Sequence, residues 1–386
     1  MNKDKFLSGN FLLLFCSMSL FFFVEYSIIA IFPVYISETL NYGRSHVGLF
    51  MGIFSVSALV IKFFTGYMTD KTGRMTVFFC GLILCIICSG FFAAASAFTA
   101  LVLVRLMHGA GSGAVRAVYP ALTVDIVGKE SAGRGLGLTG LTSMFGMVVA
   151  SPAVYFLADK AGHSVVFIIL TVIGILTVVP ALFIRVEKRI IPYRRLSLES
   201  FIEYKVLMPA LLRFITSIWH GLFVSYAVLH SRNAGVENAG IVLTAYALGN
   251  ILARPCTGFI LDKKSPGVVA WLSYALLFAG YCIFAAAQGY SGVVAGGFII
   301  GMGAGIEHTM LPTIAAKIVG KDSLGRANST LECAYSMGVV TGAVFCGKAT
   351  ETLPLAVLFT SVGVLNIVPA LLFYGAVLKD YNKHTA

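Results

Sequence analysis

The chain has 386 residues, of which 58% are hydrophobic and only 12% are charged. Soluble globular domains carry about 25% charged residues, so this composition excludes an ordinary soluble protein. The formal net charge of +11 fits either a nucleic-acid partner or the cytoplasmic loops of a membrane protein, and the distribution of the charges decides between the two.

Apolar blocks of about 20 residues recur along the chain, which is the length of a helix that crosses about 30 Å of hydrocarbon. Because backbone polar groups must be satisfied internally in lipid, we expect these blocks to be helices. The first block is too long for a signal-peptide core and contains Glu25, so we expect it to stay in the protein. The pattern predicts twelve spans, near residues 11–36, 45–69, 76–97, 99–123, 133–157, 163–185, 206–229, 239–261, 267–287, 291–315, 327–348 and 354–378.

The basic residues of the connections lie mainly on one side of the predicted membrane. With the N-terminus inside, the loops on that side hold 19 Lys and Arg residues and the opposite loops hold 4. This bias predicts a multi-pass protein of the cell membrane with both termini in the cytoplasm. It accounts for the net charge without a nucleic-acid partner.

The longest polar stretch, residues 186–205, lies at mid-chain. We expect it to be a cytoplasmic linker between an N-terminal six-helix half, residues 1–185, and a C-terminal six-helix half, residues 206–386. A solvated linker is the simpler interpretation of its basic residues, and a patch that faces anionic phospholipid is the alternative.

The two predicted halves share glycine, proline and charged residues at an offset of 192 positions. Residues 66–74, between the second and third spans, have a degraded copy at residues 258–264. Six spans followed by six in the same order predict a parallel repeat about an axis along the membrane normal. The other matches join Gly109, Gly111 and Gly113 to Gly301, Gly303 and Gly305, and Pro120 to Pro312.

Residues 66–74 carry Gly66, Asp70, Lys71, Gly73 and Arg74. This spacing resembles the signature loop of the major facilitator superfamily of secondary transporters, and the resemblance covers essentially the whole chain. It implies an all-α membrane protein with twelve transmembrane helices in two parallel six-helix repeats.

By the same resemblance the loop is a cytoplasmic gate that latches the two halves in the outward-facing state. From the residues alone, Asp70 can pair with Lys71, Arg74 or a helix N-terminus. Gly66 permits a close helix approach, and Gly73 permits a tight turn. A surface turn with a solvated ion pair is the alternative. The predicted gate residues are Gly66, Asp70, Gly73, Arg74 and, in the second copy, Asp262.

Arg105 is followed four residues later by Gly109 in the fourth span, with His108 before the glycine. This resembles the family's second signature, although Gln is commoner than His at that place. The resemblance implies that Arg105 assists proton transfer. The alternative is an arginine that snorkels to the outer interface, because it lies near the end of its span.

Arg116 lies 11 residues beyond Arg105, about three helical turns, so both side chains project from nearly the same face. Glu25 lies near mid-depth in the first span. We expect Glu25 and Arg116 to pair, because the first and fourth helices line the central cavity of the resembled fold. A coupling site for a proton and an anionic solute, or a static buried ion pair, would both fit.

The second half has its own polar residues within predicted spans. Arg213 and His220 stand seven apart on one face of the seventh span, and Glu307 and His308 are adjacent in the tenth. Adjacent residues cannot both face a cavity squarely, so we expect only one of that pair to do so. His308 matches Arg116 in the repeat, which favours substrate binding by His308 and coupling by Glu307; satisfied polar residues between helices are the alternative. The predicted coupling residues are Glu25, Arg105, Glu307 and Glu332, and the predicted substrate-binding residues are Arg116, Arg213, His220 and His308.

These features predict a proton-coupled transporter of a small organic solute that works by rocking two halves around a midplane site. Mixed cationic and acidic residues suit an anionic or zwitterionic solute. Export by antiport is favoured by the partial signature in the fourth span and by Ser151-Pro152, which loosely resembles the family's Gly-Pro antiporter motif. Proton-coupled uptake of an organic anion and multidrug efflux are the alternatives.

A non-transporting membrane sensor or a membrane enzyme is a more distant interpretation. No nucleophile or metal-ligand constellation is visible in the sequence, and a sensor is expected to carry a further soluble domain. We therefore expect no enzymatic activity, no cofactor and no metal site. The expected partners are the solute, protons and the lipid bilayer, with the chain acting as a monomer.

Overall fold

The computed structural model describes residues 8–128, 131–186, 202–263, 265–319 and 324–385, with only the backbone of residues 132–134, 259, 262–263, 325 and 384–385. These parts are almost entirely helical and contain no strand. The helices are α1 (Gly9–Val34), α2 (Arg44–Thr72), α3 (Arg74–Phe92), α4 (Phe98–Val127), α5 (Ala132–Ala161), α6 (His163–Leu182), α7 (Leu207–Asn233), α8 (Ile241–Lys263), α9 (Pro266–Ala285), α10 (Gly289–Val319), α11 (Leu324–Ala349), α12 (Leu355–Leu365), α13 (Ile367–Leu372) and α14 (Leu378–Thr385).

The helices have the length and composition of membrane spans. Within the described residues, ten helical stretches are long and apolar enough to cross a bilayer. The predicted spans at 239–261 and 327–348 form helices α8 and α11, which are outside that set of ten. The predicted all-α membrane fold is confirmed.

The last predicted span, 354–378, corresponds to one helical stretch, Leu355–Lys383, that a single-residue turn interrupts at Asn366. Helix α12 ends at Leu365, and the Asn366 side-chain amide donates to the Val362 carbonyl at 2.8 Å. An amide that bonds its own backbone competes with the helical ladder. The chain resumes as α13, passes through a π-helical turn at Phe373–Val377 and ends in α14.

The described chain divides into two compact units, residues 1–40 with 53–195, and residues 41–52 with 196–386. In the first unit α1 packs on α5 and α6, and α3 packs on α4 and α6. In the second unit α10 packs on α8 and α9, and α7 packs on α11. The predicted linker falls largely on residues 187–201, outside the described parts, so the boundaries of the two six-helix halves stay a prediction.

The same glycine contact occurs inside each unit at positions related by the sequence repeat. In the first unit Gly109 of α4 lies against the backbone of Phe54 on α2. In the second unit Gly301 of α10 lies against the backbone of Tyr246 on α8. All four positions obey the offset of 192, so the shared pattern reflects shared helix packing, in which small residues let backbones approach closely.

The predicted gate loop is a tight turn between α2 and α3. Helix α2 continues past Asp70 to Thr72, and Gly73 adopts a φ of +93°, a left-handed conformation that glycine allows. Gly66 does not serve a close helix approach, because no described atom lies within 4 Å of a Cβ placed there. Arg74 pairs with Asp125 of α4 at 2.5 Å rather than with Asp70.

Candidate functional site

Four polar side chains meet between α1 and α4 and are here named the α1–α4 cluster: Glu25, Arg105, His108 and Ser112. The three α4 residues stand at intervals of three and four, so they share one face of the helix. Ser112 Oγ donates to Glu25 Oε1 at 3.0 Å, and His108 Nε2 lies 3.7 Å from Glu25 Oε2. Glu25 is only 1% exposed, so this carboxyl group is held inside the first unit.

Arg105 is enclosed by aromatic rings and is fully buried. Its guanidinium carbon lies 3.6 Å from the ring centre of Phe32 and 5.4 Å from those of Phe54 and Phe92. These three rings form an aromatic cage from α1, α2 and α3. Because a cation over a desolvated ring face is stabilised, the cage holds the charge inside the bundle, and the snorkelling interpretation of Arg105 is wrong.

Arg116 lies beside two aromatic rings of α1, and its charge acts on the Glu25 carboxyl group. Its guanidinium carbon lies 5.2 Å from the Phe22 ring centre and 5.7 Å from that of Tyr26, both on α1. Ser112, one turn earlier on α4, donates a hydrogen bond to Glu25. The structure thus brings Glu25 together with Ser112 and His108, and it places Arg116 beside the aromatic residues that flank Glu25.

The second unit has an equivalent arrangement, here named the α7–α10 cluster: Arg213, Thr216 and Glu307. Thr216 Oγ1 donates to Glu307 Oε1 at 2.6 Å, and Arg213 Nη1 donates to the same oxygen at 3.4 Å. Arg213 and Glu307 are 6% and 4% exposed. A hydroxyl group and a cation therefore hold this carboxyl group from one neighbouring helix.

Two imidazoles and two tyrosines adjoin the α7–α10 cluster. His220 Nδ1 lies 3.0 Å from the Tyr246 hydroxyl, and the His220 and His308 ring centres are 5.9 Å apart. The Tyr335 ring lies 5.7 Å from His220 and 4.7 Å from the guanidinium carbon of Arg213. Three of the four predicted substrate-binding residues, Arg213, His220 and His308, are therefore neighbours.

His220, His308 and Tyr246 border a cavity inside the second unit, between α7, α8, α9 and α10. Its lining includes Thr216, Trp219, His220, Tyr246, Glu307 and His308. Glu307 and His308 both line this cavity, whereas the expectation that only one of them faces the central transport cavity stays a prediction. Successive helix positions differ by about 100°, which two neighbouring helices can accommodate when the space lies between them.

The two acidic groups do not occupy equivalent positions in the repeat. Glu25 corresponds to Ser217, and Glu307 corresponds to Val115. The first unit therefore carries its acid on α1 and the partners on α4, whereas the second unit carries its acid on α10 and the partners on α7. The repeat preserves the helix packing but exchanges the helix that bears the carboxyl group.

The remaining predicted site residues lie apart from both clusters. Glu332 is exposed on α11, and the structure gives no support to its predicted coupling role. Asp70 and Arg74 lie at the turn between α2 and α3. The side chain of Asp262 is outside the described residues.

A family comparison decides the class of the protein. The profile of the Major Facilitator Superfamily matches residues 14–229 and 200–385. The chain belongs to the Major Facilitator Superfamily. The resemblance drawn from residues 66–74 is confirmed, and the chain is a multi-pass membrane transporter of small solutes, not an enzyme.

Known superfamily proteins resemble the chain over most of its length. The quinolone resistance protein NorA of Staphylococcus aureus strain MSSA476 is 24% identical over 382 residues, which is 94% of each chain. The hexuronate transporter of Bacillus subtilis strain 168 is 22% identical over 298 residues, covering 71% of this chain and 70% of its own.

Solved structures of superfamily transporters share the fold. The nucleoside transporter NupG matches with a TM-score of 0.80 at 14% identity, covering 95% of this chain and 99% of its own. A bacterial homologue of the human lysosomal transporter Spinster, in an inward-facing and unoccupied conformation, matches with a TM-score of 0.71 at 14% identity, over 100% of this chain and 95% of its own.

The sequence did not reveal the hydroxyl groups and tyrosines of the two clusters. Ser112 and Thr216 each donate to a buried carboxyl group, and Tyr246 and Tyr335 pack on the imidazoles. Their spacing from residues already singled out was the available signal. Ser112 stands seven residues after Arg105, and Thr216 three after Arg213, which places each on the face of the basic residue.

Proposed function

We propose that the chain is a proton-coupled secondary transporter that exports a small anionic or zwitterionic solute by antiport and alternating access. The observation that carries the proposal is a buried carboxyl group in each unit, Glu25 and Glu307, on helices that span the membrane. Ionisable residues inside membrane helices are costly and mark substrate, ion or proton pathways.

Each carboxyl group has partners suited to both of its protonation states. Burial favours the neutral acid, while a hydroxyl donor and a nearby cation favour the carboxylate. Glu307 has Thr216 and Arg213 for this purpose, and Glu25 has the Ser112 hydroxyl together with the nearby charges of Arg116 and Arg105. A small displacement of one helix is then enough to change which state is preferred, as alternating access requires.

The cavity of the second unit supports the proposed solute class. His220 and His308 supply hydrogen-bonding groups for an acidic substituent. Trp219 and Tyr246 supply aromatic surface. A solute that combines a carboxylate with a flat ring matches both features.

The direction of transport is proposed as export on the partial signatures at Arg105 and at Ser151-Pro152. The likeness to a quinolone resistance protein supports export and keeps multidrug efflux as a second candidate function. The likeness to a hexuronate transporter supports the other alternative, proton-coupled uptake of an organic anion. We further propose a cell-membrane location with both termini in the cytoplasm, on the charge bias of the loops.

Purified protein in liposomes tests the proposal. A pH-sensitive dye inside the vesicles should report proton release when an aromatic carboxylate is added under an imposed pH gradient, and a lipophilic cation should give a smaller response. Glu25→Gln and Glu307→Gln should each abolish the response, while Glu237→Gln, at an exposed position, should keep it. Full gradient-driven transport in both buried variants would refute the coupling assignment.

A further inference from the structure

His108 lies between Arg105 and Glu25 and is 1% exposed. Arg105 Nη1 is 3.4 Å from His108 Nδ1, within hydrogen-bond distance. On the other side of the ring, His108 Nε2 is 3.7 Å from Glu25 Oε2, too far for a hydrogen bond. Among the described residues Nε2 has no hydrogen-bond partner, so this buried polar atom points at the carboxyl group across a short gap.

The contact with Arg105 determines which ring nitrogen carries hydrogen. A guanidinium group only donates, so His108 Nδ1 must be the acceptor. A neutral imidazole that accepts at one nitrogen carries its hydrogen on the other. His108 therefore presents an Nε2–H donor to Glu25, and a second hydrogen at Nδ1 would confront the N–H groups of Arg105.

We infer that His108 is a positioning residue that stays neutral and supplies a fixed Nε2–H donor to the Glu25 carboxylate, and that it does not carry the transported proton. The inference rests on the proposed role of Glu25 in coupling. When Glu25 gives its proton to water, the 3.7 Å gap closes to hydrogen-bond distance and the carboxylate gains a second donor besides Ser112. The hydrogen on Nε2 stays on His108 throughout.

The charged and titratable groups around His108 are consistent with this role. Arg105 and Arg116 act on it from its own helix, Glu25 lies on α1, and Cys85 Sγ of α3 is 3.8 Å from the His108 carbonyl. Helix α2 presents the Phe54 ring, and α6 presents Thr177 and Gly174 to the same space. The carboxylate is thus the group nearest to Nε2 that can accept a hydrogen bond strongly.

A metal ion is the competing occupant of this space. Ligand-type atoms of Glu25, Cys85 and His108 lie within 4.8 Å of one another. A metal at Nε2 needs a bare nitrogen there, with the ring hydrogen moved to Nδ1. Because that hydrogen would then face the Arg105 guanidinium, the arrangement favours the donor role over metal binding.

Replacement of His108 by glutamine distinguishes a hydrogen-bonding role from a proton-carrying role. The amide oxygen of glutamine can accept from Arg105 while its amide NH₂ group donates to Glu25, which reproduces both hydrogen bonds of a neutral histidine. It cannot carry a proton. Leucine has a similar size and offers neither hydrogen bond.

The first experiment compares His108→Gln and His108→Leu in the liposome assay, as the initial rate against external pH. We expect His108→Gln to keep the wild-type pH profile and a rate within about threefold of wild type, and His108→Leu to lose at least about tenfold, in line with the loss of a buried charge-assisted hydrogen bond. If His108→Gln is as defective as His108→Leu while the wild type is driven by the gradient, the inference about His108 is overturned and the proposed function stands.

The second experiment does not depend on transport. Nitrogen NMR of the full chain labelled in its seven histidines, with the His108 signal assigned by its absence from His108→Gln, reports the protonation of both ring nitrogens. We expect the neutral Nε2–H form throughout pH 5–8. A doubly protonated ring or an Nδ1–H form would overturn the inference, whereas a wild type without pH-driven transport would overturn the proposed function.

Adding Zn²⁺ to the same NMR samples tests whether a metal ion binds between Glu25, Cys85 and His108. We expect the His108 signal to keep its position in the wild type, as in a Cys85→Ala variant. A zinc-dependent shift that needs Cys85 and is unaffected by Cys88→Ala would show metal binding at Nε2 and would overturn the donor assignment.

Discussion

The buried pair Arg213–Glu307 gives a prediction in which the double substitution is less destabilising than either single substitution. Arg213→Met removes the cation and leaves the carboxyl group, and Glu307→Met does the reverse. The double variant removes both charges and keeps similar side-chain volumes. Thr216 does not lose its only partner in the double variant, because its hydroxyl also donates to the Leu212 carbonyl at 3.1 Å.

The expected magnitudes follow from the 3.4 Å separation of Arg213 Nη1 and Glu307 Oε1. At an effective dielectric constant of about 20, the attraction is about 5 kcal/mol. Removing each ion from water costs several kcal/mol, so the complete pair contributes little net stability. We expect each single variant to lower the free energy of unfolding by about 3–5 kcal/mol and the double variant to lower it by less than about 2 kcal/mol.

Equilibrium unfolding in mixed micelles measures the three values, with Lys205→Met as a control at an exposed position in the same unit. The control should change the free energy of unfolding by less than about 0.5 kcal/mol. A double variant whose loss equals the sum of the two single losses would show that the charges are independent. That result would refute the buried pair and the coupling role that depends on it.

Three further predictions concern packing, an interhelical hydrogen bond and the gate turn. Gly301→Ala places a methyl group against the α8 backbone and should lower the thermal midpoint of unfolding. Gly140 has open space around it, so Gly140→Ala should raise the midpoint through a gain in helix propensity of up to about 1 kcal/mol. Equal shifts in the two variants would contradict the packing argument. Tyr155→Phe leaves a buried α1 carbonyl without its 2.7 Å donor and should cost about 1–3 kcal/mol in the unfolding titration; a change below about 0.3 kcal/mol would exclude this contribution. Arg74→Ala and Asp125→Asn should each cost at most about 1 kcal/mol at low salt, with no further loss when combined; additive losses would show that the residues act separately.

The fold was accessible from the sequence because its signals are local and repeated. Apolar blocks set the helices, and the spacing from Gly66 to Arg74 identified the family. The turn at Asn366 was not predicted, because it depends on the side-chain amide of Asn366 turning back to its own helix. The average apolar composition of the span does not indicate whether this hydrogen bond forms.

The sequence was sufficient to identify the residue types of the candidate site, but not which of these residues contact one another. Glu25 and Glu307 stood out as acids within apolar spans. Spacing along α4 placed Arg105 and Arg116 on one face, yet the partner of Glu25 depends on the rotation of α1 against α4. That rotation is set by close packing of many side chains, which a single helix pattern does not contain.

The aromatic cage around Arg105 has a consequence for how the protein is made. Its three rings belong to α1, α2 and α3, all of which leave the ribosome before α4. Folding during synthesis proceeds from the N-terminus. Arg105 therefore enters the bilayer when all three rings of its cage are already present. Contact with these rings offsets its insertion cost of about 3 kcal/mol. Arg213 on α7 instead enters the bilayer before Glu307 on α10 has been synthesised. Nascent chains that end between α7 and α10 carry the Arg213 charge without the Glu307 carboxyl group. They are the translation intermediates most dependent on the insertion machinery.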